Sequence, residues 1–370
     1  MQNRNEKPTE NQNSAHEISD DDKTPEVQKT QWKQAFSELC NMHILKPIAD
    51  YARCIRPGRT NQPGSLEKSQ QQKKTASPNL YVVDDKSSVL PTRKESTTMA
   101  TRITVIAKKG GVGKSTIVMA LAGHFASNGA RVLVVDLDAQ ATASGNCLTK
   151  KTAQELPGDR TVAALFEDEC LVEAEDLIHK SHLENIWVLP ANDHFSRHLH
   201  PDPLNTPAGM QIAIADFLHE VEDRFDWILL DSPPALANLA GWNCLTSAQY
   251  VISPVQMEGY SAQTVVGVEE AVAQALSYGN PDLQFLGYVV SEFDKTRKAD
   301  HAQAEETLRA RYGQQVFESV IYRRAKLPQS QNADEHIYTY APKSSEAKMI
   351  DGLANELVSR IQLNRARRAA

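Results

Sequence analysis

The chain has 370 residues, longer than one average domain, and its 41% hydrophobic content is enough for a substantial core. A net charge of −7 excludes wholesale coating of nucleic acid but leaves room for a local basic face. No run approaches the roughly 18 consecutive apolar residues of a membrane span, and no secretory signal opens the chain. The cysteines Cys40, Cys54, Cys147, Cys170 and Cys244 are scattered without a C-x-x-C, which fits a reducing cytosol and speaks against a zinc or iron–sulfur site.

Residues 1–31 are polar, carry the acidic run Asp20-Asp21-Asp22, and read as disordered. Trp32, Phe36 and Leu39 follow at helical spacing and Pro47 interrupts, which gives a short helical segment within 32–55. Residues 60–78, rich in Gln, Ser and Lys, read as linker. Met99 stands just before the first core strand, so translation starting there would make 1–98 a dispensable extension.

From about Arg102 the pattern becomes α/β. Short continuous apolar runs predict strands at 103–107, 132–135, 186–189, 227–230, 250–253, 285–290 and 316–321, each covered on both faces. Helices are predicted between them, at 116–127, 210–221, 264–276 and 302–311, and Asn128-Gly129 ends the first of these. Such alternation implies a doubly wound, mostly parallel sheet, whose ligands bind at the carboxyl ends of its strands.

The most informative stretch is Lys108-Lys109-Gly110-Gly111-Val112-Gly113-Lys114-Ser115-Thr116, directly after the first strand. A glycine-rich turn opening a helix cradles phosphate with its backbone N–H groups. Lys114 can reach the β- and γ-phosphates, and the Ser115 hydroxyl can ligate Mg²⁺. The standard G-x-x-x-x-G-K-[ST] pattern wants glycine at 108. The chain has Lys108 there and fits the deviant form x-K-G-G-x-x-K-[ST], with Lys109 as the extra lysine. In these residues it resembles the ParA/MinD family of P-loop ATPases.

The resemblance covers about residues 101–362, leaving 363–370 as a basic tail, and implies ATP and Mg²⁺ as cofactors. It implies that Lys109 crosses a dimer interface to the partner's nucleotide. Asp136-Leu137-Asp138-Ala139-Gln140 matches the family's D-x-D-P-Q, with Ala139 for proline. That assigns water orientation to Asp138 and support of the metal and phosphates to Asp136. The strand ending at Asp231, followed by Ser232-Pro233-Pro234, resembles a Walker B segment, in which Asp231 holds Mg²⁺ through water. The segment at 316–327 matches the loop flanking the base, although Tyr322-Arg323-Arg324 replaces the family's Pro-Arg-Asn. Tyr322 and Arg324 are the base-contact candidates by that match.

The implied activity is ATP hydrolysis by a dimer that binds DNA without sequence preference and is stimulated by a ParB-like partner at the nucleoid, in the cytoplasm. Candidate phosphate contacts are Arg297, Lys298, Arg309, Arg311, Arg323, Arg324, Lys326, Lys343 and Lys348, with Arg360, Arg365, Arg367 and Arg368 at the C-terminus. Two other readings stay open. A MinD-like membrane ATPase would use the stripe Leu353, Leu357, Ile361 and Leu363, which ranks lower because no Phe or Trp follows it. A DNA-binding regulator without enzymatic activity would act through 1–98. His194, His198 and His200 sit among prolines and read as a polar loop rather than a metal site.

Overall fold

The structure is a computed structural model that describes residues 90–93 and 99–369, apart from 168–171, 201, 259–261, 295 and 297. The expectations for 1–89 and for Arg297 lie outside the described residues.

In chain order, strand β1 (Thr101–Val105) leads into helix α1 (Lys114–Ser127) and β2 (Val132–Asp136). Short helices α2 (Thr142–Leu148), α3 (Lys150–Glu155) and α4 (Ala174–Leu177) precede β3 (His179–Lys180) and β4 (Ile186–Leu189). Then come α5 (Ala208–Val221), β5 (Trp227–Asp231), α6 (Leu239–Ser247), β6 (Tyr250–Gln256) and α7 (Ala262–Tyr278). The chain continues through β7 (Gln284–Phe293), α8 (Lys298–Tyr312), β8 (Val316–Tyr322), α9 (Lys326–Asn332), α10 (Ile337–Tyr340) and α11 (Ser345–Ala369).

The eight strands form one sheet in the order β3-β4-β2-β5-β1-β6-β7-β8. Only β3 runs antiparallel to its neighbour. Alternate residues feed two cores, which is why these strands are apolar throughout. On β2, Leu133 and Val135 join the core that receives Phe217 of α5, Leu239 of α6, Val268 of α7 and Leu308 of α8. Val132 and Val134 join the opposite core, with Ile117 and Leu121 of α1 and Leu353 and Leu357 of α11.

Each strand predicted from an apolar run is present, β4 with the predicted ends and the others with shifted ones. β1 finishes at Val105 rather than 107, although the Ile106 N–H still donates to the Ile252 carbonyl at 3.1 Å. α1 begins at Lys114 rather than 116 because Gly113, at φ 90°, turns the chain directly into it. Two-residue β3 carries no periodicity to read. α11 is unbroken through Ala369, so residues set apart as a basic tail are its last turns. The stripe that suggested a membrane face is a core face: Leu353 and Leu357 are 0% exposed and Ile361 is 2% exposed, leaving Leu363 outside. No described helix is long and apolar enough to cross a membrane.

Residues 90–93 are tied to the domain ahead of Met99. Leu90 is buried in the first core, Arg131 donates to the Thr92 carbonyl at 2.7 Å, and Arg93 pairs with Asp223 at 3.3 Å. A chain started at Met99 loses these contacts. Removing 1–98 is therefore expected to lower stability by about 2 kcal/mol relative to removing 1–89, the scale of losing one buried leucine. Equal melting temperatures for the two truncations would refute this.

Candidate nucleotide and metal site

Three strand ends meet where β2, β5 and β1 lie side by side. In register, Asp136 of β2 is opposite Asp231 of β5, and Asp231 is opposite Val105 of β1, the last strand residue before the glycine-rich loop. The sheet order alone therefore brings the loop and both carboxylates together.

The loop's conformation depends on its glycines. Gly111 has φ 75° and Gly113 has φ 90°, values that an L side chain adopts only with strain. A Cβ on Gly110 would lie 4.0 Å from Pro234, so the Walker B-like loop packs against the phosphate loop. The Ser291 hydroxyl of β7 donates to the Val112 carbonyl at 2.9 Å and pins the loop from the other side. Ser115 and Thr116, half-buried, open the first turn of α1.

The two lysines before the glycines part company. Lys108 lies across α7, where a Cβ on Gly267 would collide with its side chain. Lys109 is exposed, and among the described residues its ammonium has no hydrogen-bond or ion-pair partner.

Below the loop, charge is concentrated in low dielectric. Lys114 is 7% exposed; burial lowers its pKa, while the Asp231 and Asp138 carboxylates pull it back up. Burial raises Asp136 to about 6 despite its donors, the Ser144 N–H at 2.8 Å and hydroxyl at 2.7 Å on one oxygen and the Asp138 N–H at 3.0 Å on the other. Burial pushes Asp231 well above the ordinary carboxylate range, and Asp136 beside it pushes further, against the nearby Ser115 hydroxyl and Lys114. Both Asp231 oxygens are buried with no hydrogen-bond partner among the described residues. Asp138 is half-exposed at the rim, where its carboxylate accepts from the Gln140 N–H at 3.0 Å.

An orphaned buried carboxylate beside a hydroxyl, a second carboxylate and a buried lysine is a donor set for a hard divalent cation and the phosphates it accompanies. The residues present thus fit Mg²⁺ with a nucleoside triphosphate. Ser144 is the contributor that sequence reasoning missed. It holds Asp136 from eight positions away, across the turn made by Ala141 at φ 55°.

The proposed base contacts are less open. Tyr322 packs edge-on to Phe293, with ring centroids 5.6 Å apart, and the Arg324 guanidinium donates to the Ser345 hydroxyl at 3.0 Å. Several of the candidate DNA-contact arginines have partners within the fold. Arg360 bridges the Leu286, Gln314 and Val316 carbonyls, pairs with Glu356 and lies 4.0 Å over Phe317. Arg309 pairs with Glu305, Arg323 with Glu292 and Arg368 with Asp282, while Arg365 donates to Thr101 and Tyr250. Arg311 lies 5.4 Å over Tyr312. Lys326, Lys343, Lys348 and Arg367 are exposed, whereas for Lys298 only the backbone, at the start of α8, is described. His198 is buried with its Nε2 3.1 Å from Glu167, while His194 and His200 are exposed.

Fold and site together define a P-loop nucleotide protein with a deviant phosphate loop. A family profile described as an AAA domain matches residues 100–285. The chromosome-partitioning ATPase Soj of Thermus thermophilus is 33% identical over 265 residues, 70% of this chain and 96% of that protein. The chromosome partitioning protein ParA of Myxococcus xanthus is 29% identical, over 68% of this chain and 86% of that one. Among solved structures, cobyrinic acid a,c-diamide synthase of Mycobacterium smegmatis with bound ATP analogue and magnesium aligns with TM-score 0.59 and 25% identity, over 71% of this chain and 96% of that one. The chain belongs to the ParA/MinD family of P-loop ATPases, in its Soj-like branch.

Proposed function

We propose that this protein is a partition ATPase. In this reading it dimerises on Mg-ATP, binds DNA without sequence preference in that state, and moves DNA or other cargo over the nucleoid with a ParB-like partner, in the cytoplasm. The observation that carries the reading is the meeting of phosphate loop, Lys114, Asp136 and Asp231 at three adjacent strand ends, below an exposed Lys109.

Bound Mg-ATP would supply the electrophilic phosphorus and the divalent charge that phosphoryl transfer needs. The chain's residues do the positioning. The Gly110–Gly113 backbone cradles phosphate, and Lys114 offsets charge developing on it. Ser115 and Asp231 hold the cation, and Asp136, fixed by Ser144, supports them. Asp138 orients water at the rim. Lys109, which has no ionic or hydrogen-bond partner among the described residues of its own subunit, reaches the partner's phosphates. The test is light scattering of Asp138→Ala with saturating Mg-ATP: a dimer supports the reading and a monomer refutes it.

DNA affinity is expected to fall steeply with salt, as counterion release requires. Lys343→Ala and Lys348→Ala should each lower the slope of log affinity against log salt by about 1. Arg360→Ala should act on the fold, costing about 2–3 kcal/mol through its lost carbonyl bonds and ring contact. Salt titration of DNA binding beside thermal melts separates the two classes.

A further inference from the structure

Glu292 is the anomaly at the phosphate loop. It is a residue of β7 with φ 51°, the left-handed region that a glutamate enters only when its surroundings demand it. The pairing of β7 with β8 slips between Val290 and Phe293, so Glu292 stands at an irregularity that re-aims its side chain. The side chain turns onto the loop: a Cβ on Gly113, the residue that starts α1, would lie 3.9 Å from Glu292 Oε1. The other carboxylate oxygen accepts from Arg323 Nε at 3.2 Å, and Arg323 is itself held by its backbone N–H donating to the Phe293 carbonyl at 3.0 Å. The next residue back, Ser291, is the one bonded to Val112. A negative group is therefore placed beside Gly113 of a cradle for anions, and among the described residues the half-exposed Arg323 guanidinium is its ion-pair partner.

We propose that Glu292 is a charge filter for the nucleotide: its carboxylate, tempered by Arg323, disfavours each incoming nucleotide according to the negative charge it brings, so the metal-bound triphosphate enters in preference to the free one. This rests on the nucleotide-binding reading above. Free ATP carries about two more negative charges than Mg-ATP, and like charges a few ångströms apart but screened by water repel with an energy that changes affinity severalfold. Arg323 acts through Glu292, so its effect vanishes once the carboxylate is gone.

The test is calorimetry of ATP binding to the full chain, in Mg²⁺ and in EDTA. Glu292→Gln is expected to tighten Mg-ATP about 3-fold and metal-free ATP about 10-fold, with both gains shrinking at high salt. Glu292→Gly, which also relieves the left-handed backbone, should move both affinities the same way. Arg323→Ala should weaken metal-free ATP more than Mg-ATP, and Arg323→Ala with Glu292→Gln should match Glu292→Gln alone. Weaker binding in Glu292→Gln would overturn the proposal, since it would make the carboxylate a ligand of the ribose or base. Equal shifts in Mg²⁺ and EDTA would also overturn it, as would a double variant as weak as Arg323→Ala. Wild-type protein that takes up no nucleotide at all would sink the functional reading, and this inference with it.

Discussion

Asp231→Asn is expected to raise the melting temperature of the nucleotide-free protein and to shrink the further rise that Mg-ATP gives the wild type. Asp231 is fully buried, both its oxygens lack hydrogen-bond partners among the described residues, and Asp136 lies beside it in register. Burial and that neighbour hold its pKa well above the usual range, so its charged form is costly at neutral pH. An amide of the same shape removes the charge and keeps the packing, a gain of about 1–2 kcal/mol, or a few degrees in a domain of this size. With metal and nucleotide the sign reverses under the proposed assignment, because the carboxylate would then hold the cation. Loss of metal binding should cut nucleotide affinity by about a hundredfold, since the ligand's stabilisation follows its affinity. Thermal melts with and without Mg-ATP check both halves, and a nucleotide-free Asp231→Asn that melts below wild type would refute the first.

The same argument gives a pH dependence. Asp136 moves from the ordinary 3.8 to about 6 on folding, chiefly through burial. Its folded pKa lies above its unfolded one, so the folded state holds the proton longer. Stability present near pH 4 is then lost as pH rises toward 6, by an amount on the order of 2–3 kcal/mol. Mg-ATP should oppose that loss. In Asp136→Asn the loss over this range should shrink to the part that the raised Asp231 carboxyl contributes.

Much of this site was legible before any coordinates, for a physical reason. The phosphate loop is contiguous, and its glycines, lysine and serine are required by local backbone geometry. Asp136 and Asp231 end buried apolar strands, and a parallel sheet brings such ends to one edge. What was not legible depends on contacts far apart in sequence. Ser144 reaches Asp136 only because Ala141 turns in the left-handed region, which nothing in an alanine announces. Glu292 lies just past the apolar run 285–290 and belongs to no motif, and only its φ and its approach to Gly113 mark it out. Positive charge in the C-terminal third was plain, yet charge says nothing of partners, and Arg360 and Arg365 are spent on carbonyls and hydroxyls of their own domain. The stripe at Leu353, Leu357 and Ile361 has the period of any amphipathic helix, and only packing shows that it faces a sheet rather than lipid.

Lys109→Ala is expected to leave the monomer intact and remove what depends on two copies. Lys114 is buried among Asp231 and Asp138, so its loss should strip nucleotide affinity from the single subunit. Lys109 lies five positions earlier, is exposed, and has no ionic or hydrogen-bond partner among the described residues. Lys108, beside it, is occupied over Gly267, so the two lysines cannot substitute for each other. The stability of Lys109→Ala, read from thermal melts, should stay within about 0.5 kcal/mol of wild type, the scale of an exposed substitution. Nucleotide affinity of the monomer should change less than about threefold, as for a charge well exposed to water. The ATP-dependent dimer should vanish, and with it DNA binding, because two half-sites for DNA phosphate would no longer be joined. Hydrolysis should fall with them, since in the proposed dimer the charge that Lys109 would bring to the partner's phosphates is supplied only across the interface. Light scattering, calorimetry and DNA co-sedimentation on the one variant measure these effects separately. A variant that still dimerises on Mg-ATP would move the interface elsewhere, and one that no longer binds ATP as a monomer would make Lys109 part of its own subunit's site.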